Sequence, residues 1–218
     1  MTSEAARSAL LLSLGTGLIA TVLCIVIGVP LALTIARSGP RLAAVLRAAV
    51  TVPLVLPPMV GGVALLYLFG RAGWFGGLGL SFSTPAVVLA QTFVALPFLV
   101  LAVEGAVRTS GVEYERTAAA LGAGRWTILR RITLPLAAPG IVAGVVLCFA
   151  RAIGEFGATA LFAGNRPGVT QTMPLAIYTA FNGAGVTQGA AVALALLLLA
   201  TAILVLLLVR GWRPGAAR

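Results

Sequence analysis

Residues 8–36 read SALLLSLGTGLIATVLCIVIGVPLALTIA and decide the fold, because this run carries no charged side chain over a length that can cross a bilayer. A helix of about 20 apolar residues spans the roughly 30 Å of hydrocarbon in a membrane. The apolar core of a signal peptide is shorter, about 7 to 15 residues, so we do not expect cleavage. The run therefore predicts a transmembrane helix that stays in the protein.

Four more apolar runs follow, and with the first they predict an all-α integral membrane protein of about five transmembrane helices. They cover about 48–70, 85–107, 136–164 and 186–209, with only short polar breaks between them. The composition agrees, since 60% of the residues are hydrophobic and 9% are charged, whereas soluble domains are about 25% charged. We therefore expect a single membrane domain over residues 1–218. The fourth run contains charged residues and is expected to break or end early.

The basic residues are all arginine. Fifteen Arg and five Glu give a net charge of +10, which could indicate a nucleic-acid partner. The arginines lie instead at the ends of apolar runs and in one loop between helices, so the sequence predicts a lipid bilayer and no nucleic acid as the surroundings of this chain.

The same arginines predict the orientation, because cytoplasmic loops carry an excess of basic residues. If the amino terminus is outside, the outer side holds only Arg7, Arg71 and Arg166, and one further arginine lies within a span. We therefore predict an outer amino terminus and a cytoplasmic carboxyl terminus. The cytoplasmic arginines are then Arg37, Arg41, Arg47, Arg108, Arg116, Arg125, Arg130, Arg131, Arg210, Arg213 and Arg218.

The sequence also excludes most enzymatic chemistry. It contains no His, Asp or Lys, so most acid-base and nucleophile-activating arrangements are missing. We predict no catalytic residue and no metal site, and a membrane-embedded enzyme is disfavoured. A phosphate-binding Gly-x-x-x-x-Gly-Lys-Ser/Thr loop is also missing, which argues against ATP hydrolysis by this chain. Composition alone leaves a passive channel or an assembly subunit open.

The most informative polar stretch is the predicted cytoplasmic loop at 108–135, RTSGVEYERTAAALGAGRWTILRRITLP. Residues 113–121 have a helix-forming composition, and glutamates in the first turn suit a helix amino terminus. Gly122 and Gly124 are expected to end or bend this helix. A second short helix is expected over 125–133, with Pro135 restarting the chain into the fourth span. Periodicity alone also allows a surface helix lying on the lipid headgroups.

This loop resembles the cytoplasmic signature of binding-protein-dependent ABC importer permeases, which reads Glu-Ala-Ala, three residues, Gly, nine residues and Ile-x-Leu-Pro. Gly122 and the segment from Ile132 to Pro135 fit that spacing. The Glu-Ala positions hold Arg116 and Thr117 here, with Glu115 one residue earlier. The resemblance implies a coupling helix that docks on a cytosolic ATP-binding subunit. The residues implied in docking are Glu115, Arg116, Thr117, Ala118, Ala119, Leu121, Gly122, Ala123 and Gly124.

Two further stretches, 49–73 and 149–179, look like the permease subunits of bacterial molybdate importers. Sulfate permeases share much of the segment Gly154 to Gly157 and stay the alternative, while tungstate cannot be separated from molybdate. The resemblance implies ATP-driven import by alternating access in the bacterial inner membrane. Its implied partners are a second copy of this chain, a pair of ATP-binding subunits that hold ATP and magnesium, and an extracytoplasmic oxyanion-binding protein. No cofactor is expected in this chain.

Prolines are expected to kink the second span. Pro53, Pro57 and Pro58 precede Gly61 and Gly62, and each proline removes a hydrogen-bond donor and clashes with the preceding turn. The kink could be a fixed structural feature, or irregular backbone that lines the translocation path.

Charged residues inside the spans form another candidate site. Arg151 and Glu155 are four residues apart in the fourth run, so we expect them to share a helix face and to pair. The pair could be a structural ion pair or a contact for a passing anion. Glu104, near the cytoplasmic end of the third span, is expected to be interfacial.

Overall fold

The computed structural model describes residues 3–109 and 112–182, together with helical positions 189, 192, 193, 195–200 and 203. Every regular element in this part of the chain is helical, which confirms the all-α class. The fifth predicted span, 186–209, lies mostly outside the described residues. The elements are α1 (Ser3–Arg37), α2 (Pro40–Val55), α3 (Pro58–Phe69), a 3₁₀ turn (Gly76–Leu78), α4 (Thr84–Thr109), α5 (Val112–Ala120), α6 (Arg125–Ile128), a π-helical turn (Leu129–Thr133), α7 (Leu134–Ile153), α8 (Gly157–Phe162) and α9 (Met173–Phe181).

Within the described residues, three continuous helices are long and apolar enough to cross a membrane: Glu4–Arg37, Thr84–Thr109 and Arg125–Ile153. The first two confirm the first and third predicted spans. The third overlaps the fourth predicted span but begins earlier, at Arg125, 11 residues before 136. The chain is therefore a multi-pass membrane protein.

Helix α4 lies at the centre and packs against both α1 and α7. Its contact with α7 is close because small residues face each other: a methyl group at Gly144 would lie 2.9 Å from the Cβ atom of Ala102. In a membrane the hydrophobic effect does not drive helices together, so they associate through close packing, and small residues allow that packing. The free thiols Cys24 and Cys148 are buried in the same core and behave as small hydrophobic groups.

The second predicted span is broken, not merely kinked. Helices α2 and α3 meet at 111°, and Leu56 between them is extended at φ −72° and ψ 134°. A residue before proline is driven out of the helical region, and Pro57 and Pro58 follow here in sequence. Pro53 lies inside α2, so Pro57 and Pro58 cause the break. The predicted disruption is confirmed, and it is larger than a kink.

Around the fourth span the sequence reading is wrong at one end and confirmed at the other. Pro135 does not restart the chain, because α6, the π-helical turn and α7 form one continuous helix. A π turn widens the helix just before the proline, whose missing N–H would leave a carbonyl of the preceding turn without a partner. At the other end α7 stops at Ile153, which confirms the expected early end.

Candidate functional site

The segment from α5 to α6 is shaped by a glycine cap. Gly122 has φ +86°, and its N–H donates to the carbonyl of Ala119 at 3.0 Å, while the N–H of Ala123 donates to the carbonyl of Ala118 at 2.9 Å. These two bonds form a Schellman motif, in which a left-handed residue ends the helix. The predicted role of Gly122 as a helix stop is confirmed.

Most of the predicted docking residues are on the surface. Arg116, Thr117, Ala119, Leu121, Gly122 and Gly124 are exposed, whereas Glu115, Ala118 and Ala123 are partly buried. Leu121 is 84% exposed, and Tyr114 and Trp126 in the same segment of the chain are also largely exposed. Large exposed apolar side chains that form a patch mark interaction sites.

Sequence reasoning missed two members of this surface. Trp126 is 67% exposed, whereas Ile128, two residues later, is buried. The guanidinium of Arg130 lies 5.9 Å from the centre of the Trp126 ring, a cation–π distance that holds the ring on the surface. Tyr114 was not selected either. An aromatic side chain in an otherwise polar loop was the available signal for both.

Glu115 points into the protein. Its Oε1 atom accepts hydrogen bonds from Arg37 Nη2 at 3.1 Å and from the hydroxyl of Thr133 at 2.5 Å. Arg37 Nη2 also donates to Thr133 Oγ1 at 3.0 Å. Arg37 ends α1, and Thr133 ends the π-helical turn. The cluster thus joins the loop helix α5 to the end of α1 and to the start of the helix that continues into α7.

Glu104 is buried inside the protein, and its expected depth at the membrane interface stays a prediction. Its carboxylate receives two hydrogen bonds from the guanidinium of Arg47 on α2 and one from Arg108 Nη1, at 3.2 Å, on α4. A carboxylate between two arginines can be held away from water because its charge is compensated. Arg108 four residues later was visible in the sequence, but Arg47 is not local.

Arg151 and Glu155 do pair, with Arg151 Nη2 lying 2.6 Å from Glu155 Oε2. The expectation of a shared helix face is wrong, because α7 ends at Ile153 and Glu155 lies in the break before α8. Its other oxygen, Oε1, accepts the N–H of Ala158 at 2.8 Å. The side chain of Glu155 is 1% exposed and that of Arg151 is 24% exposed. The carboxylate therefore fixes the chain at the start of α8.

The two helix breaks meet at one junction, formed by the starts of α3 and α8. A Cβ atom at Gly62 would lie 2.7 Å from the Cα atom of Ala158, and one at Gly157 would lie 3.1 Å from the backbone nitrogen of Met59. Gly62 thus lets α8 approach the backbone of α3, and Gly157 lets α3 approach the backbone of α8. The predicted segment with Pro53, Pro57 and Pro58 flanks this junction, and the rings of Pro57 and Pro58 are exposed.

Buried polar groups near these helices add one feature that the sequence did not reveal. Gln91 on α4 is fully buried, and neither its Oε1 nor its Nε2 atom has a hydrogen-bond partner among the described residues. Leaving such a group unpaired is costly in an apolar medium. The part of the chain that the structure describes holds no cluster of three or more His, Cys, Asp or Glu that could bind a metal ion.

Comparison with known proteins assigns the chain to a class. Residues 9–215 match the family described as "Binding-protein-dependent transport system inner membrane component", and the chain belongs to this family. The inward-facing MetNI methionine ABC transporter shares the fold, with a TM-score of 0.78 and 20% identity over 97% of this chain and 99% of that chain.

Two relatives narrow the class. The chain is 54% identical over 221 residues to the molybdenum transport system permease protein ModB of Mycobacterium tuberculosis, covering 98% of this chain and 82% of the relative. It is 41% identical over 190 residues to the protein of the same name from Escherichia coli, covering 84% and 83%. The resemblance to ABC importer permeases of the molybdate type is confirmed.

Proposed function

We propose that this chain is the membrane-spanning permease subunit of an ATP-driven importer of molybdate, and that tungstate, an oxyanion of the same shape, is also carried. The 54% identity over 98% of the chain to a molybdenum permease carries the proposal. The chain supplies a route through the membrane and no chemistry, in keeping with relatives that are transport permeases.

The working assembly contains two copies of this chain, two cytosolic ATP-binding subunits and an extracytoplasmic oxyanion-binding protein. ATP and magnesium are held by the ATP-binding subunits. The exposed surface of α5 and its glycine cap, from Arg116 to Gly124, docks on them, and the apolar side chains of Leu121 and Trp126 supply the buried contacts. Apolar and aromatic anchors of this type dominate the energetics of protein interfaces.

In this proposal the amino terminus lies outside and α5 lies in the cytoplasm. Single cysteines in a background without Cys24 and Cys148 test this orientation. A membrane-impermeant thiol reagent should label positions 165–170 from outside and positions 122–126 only from the cytosol. The opposite labelling pattern would refute the orientation.

The junction of α3 and α8 borders the translocation path. Irregular backbone is stable at membrane depth only where protein or water covers it. Helix α8 packs against the start of α3, directly after the break, and we assign the exposed side, with Pro57 and Pro58, to the water-filled path. We assign a structural role to the ion pair of Arg151 and Glu155, because the carboxylate already lies against the guanidinium through Oε2 and accepts the N–H of Ala158 through Oε1.

Uptake by the reconstituted complex tests the substrate. Proteoliposomes are prepared with this chain and its ATP-binding subunit, and the binding protein is added. They should accumulate labelled molybdate only when ATP is present on the side of the membrane where the ATP-binding subunit lies. An excess of unlabelled tungstate should abolish the uptake and an equal excess of sulfate should not. Inhibition by sulfate as strong as that by tungstate would instead support the sulfate importer.

A further inference from the structure

The contact between α5 and the membrane-spanning helices depends on one polar cluster. The carboxylate of Glu115 lies 3.1 Å from Arg37 Nη2 and 2.5 Å from Thr133 Oγ1. Arg37 and Thr133 are themselves hydrogen-bonded at 3.0 Å, so the three side chains close a triangle. Because each corner belongs to a different element, α5 cannot shift relative to α1 or α7 without breaking a bond in this triangle.

The three side chains of the cluster differ in how exposed they are to water. Arg37 is 42% exposed and Glu115 is 27% exposed at the side chain, and ion pairs with this degree of exposure contribute little to folding stability because water screens them. Thr133, in contrast, is buried at the end of the π-helical turn. The cluster is thus too exposed to be a main support of the fold, yet one of its corners is anchored inside the protein.

The two helices that the cluster reaches are those that pack on the central helix. Both α1 and α7 lie along α4 and share its core. A movement of α5 that is passed to Arg37 and to Thr133 would therefore move two spans in the same direction. In contrast, the exposed face of α5 is free for the partner that would cause the movement.

We propose that Glu115 is a positioning residue, and that the cluster of Arg37, Glu115 and Thr133 is the link through which a displacement of α5 moves α1 and α7. Glu115 thus acts inside this chain and not on the docking surface. The proposal rests on the proposed function, since it takes the displacement of α5 to come from the ATP-binding subunits.

The test compares ATP hydrolysis with molybdate uptake in the reconstituted complex. In the Glu115→Ala variant the ATP-binding subunit should still co-purify in full amount and hydrolyse ATP, while uptake falls. We expect the number of ATP molecules hydrolysed per molybdate to rise about tenfold, within the range that couplings between sites usually span. Thr133→Val should have a similar effect, and the conservative Thr133→Ser should keep the ratio of the unchanged chain.

Two further variants separate a link from a merely structural contact. The charge reversal of Arg37→Glu with Glu115→Arg should recover part of the uptake that either single change removes. Arg108→Ala is the matched control, because it removes the exposed partner of an ion pair at 3.2 Å that does not involve α5, while Arg47 still pairs with Glu104. Its ratio of hydrolysis to uptake should stay unchanged.

Three results would overturn the proposal. The first is loss of the ATP-binding subunit from the Glu115→Ala variant, which would make Glu115 a docking residue. The others are an unchanged ratio of ATP hydrolysis to uptake in that variant, or an equal rise of this ratio in the Arg108→Ala control.

If the unchanged chain takes up neither molybdate nor tungstate, the proposed function fails and a measurement without substrate decides whether the cluster links α5 to the spans. Nitroxide labels at positions 34 and 119 should then keep one narrow distance with and without ATP, and Glu115→Ala should broaden it. A distribution that Glu115→Ala leaves narrow would overturn the link.

Discussion

The loop helix α5 and the junction of α3 and α8 each contain an Arg–Glu ion pair, and the two pairs have opposite surroundings. Around Arg37 and Glu115, water reaches both side chains, whereas Glu155 at the junction is almost completely buried against Arg151. Attraction between charges strengthens as water is excluded, and so does the cost of leaving one charge alone. The two ion pairs therefore differ in how much each charge depends on its partner, and the buried pair of Arg151 and Glu155 depends on it more.

The backbone contacts of the two regions differ in the same way. At the junction, a methyl group at Gly62 would not fit without a shift of α8, and one at Gly157 would lie tightly against the start of α3. At the cap of α5, a Cβ atom at Gly122 would meet nothing within 4 Å, so that glycine is required by its left-handed conformation and not by packing. We conclude that the junction is fixed by shape, whereas α5 is held by a few polar bonds.

The largest effect is expected at the buried pair. Replacing Glu155 with Ala leaves the guanidinium of Arg151 without its partner and frees the N–H of Ala158, and breaking a buried pair costs about 3 to 5 kcal/mol. Because Arg151 keeps some exposure, we expect the lower end of that range. The measurement is the amount of folded protein in the membrane and its thermal midpoint in detergent.

The double variant Arg151→Met with Glu155→Gln is the control for this prediction. It removes both charges, so it should recover membrane levels that either single change lowers, together with part of the uptake. If the Arg151 variants instead reach normal membrane levels and show no uptake, the structural role is refuted and Arg151 contacts the passing anion.

Close packing at the junction gives the next effect. In Gly62→Ala the new methyl group would lie 2.7 Å from the Cα atom of Ala158, and overpacking of this kind costs about 1 to 3 kcal/mol. Gly105→Ala is the matched control, since that glycine lies in α4 with nothing within 4 Å of the added group. Equal thermal midpoints for both variants would show that the contact between α3 and α8 is not tight in the membrane.

The sequence predicted the features that depend on neighbours in the chain. Apolar length identified α1 and α4, paired prolines identified the break, and Gly122 identified the end of α5. It did not predict contacts between distant residues: Glu115 lies 78 residues from Arg37, and Glu104 lies 57 residues from Arg47. Those contacts depend on how the helices pack, which no local pattern in the chain encodes.

A substitution on the docking surface should lower the affinity for the ATP-binding subunit without changing the stability of this chain. Leu121→Ala removes an apolar side chain that is almost fully exposed, so the thermal midpoint of the isolated chain should not move. Affinity for the ATP-binding subunit should fall about tenfold, since an interface anchor contributes more than 1 kcal/mol. Leu78→Ala, an exposed leucine in the loop that contains the 3₁₀ turn, should leave the affinity unchanged. Equal binding by both variants would remove Leu121 from the interface.

The smallest effect on stability is expected at the exposed pair, and it completes the comparison with the buried one. Because Arg37 is screened by water, Arg37→Ala should lower the free energy of unfolding by about 0.2 to 1 kcal/mol, several times less than Glu155→Ala. Raising the salt concentration should shrink this difference further, since mobile ions screen exposed charges over about 8 Å at physiological ionic strength and over less at higher salt, whereas the effect of Glu155→Ala should hardly change. Unfolding followed in detergent at low and high salt measures both variants against the unchanged chain. A loss from Arg37→Ala as large as that from Glu155→Ala, and independent of salt, would mean that the cluster at α5 is part of the rigid core, and the contrast between the two regions would not hold.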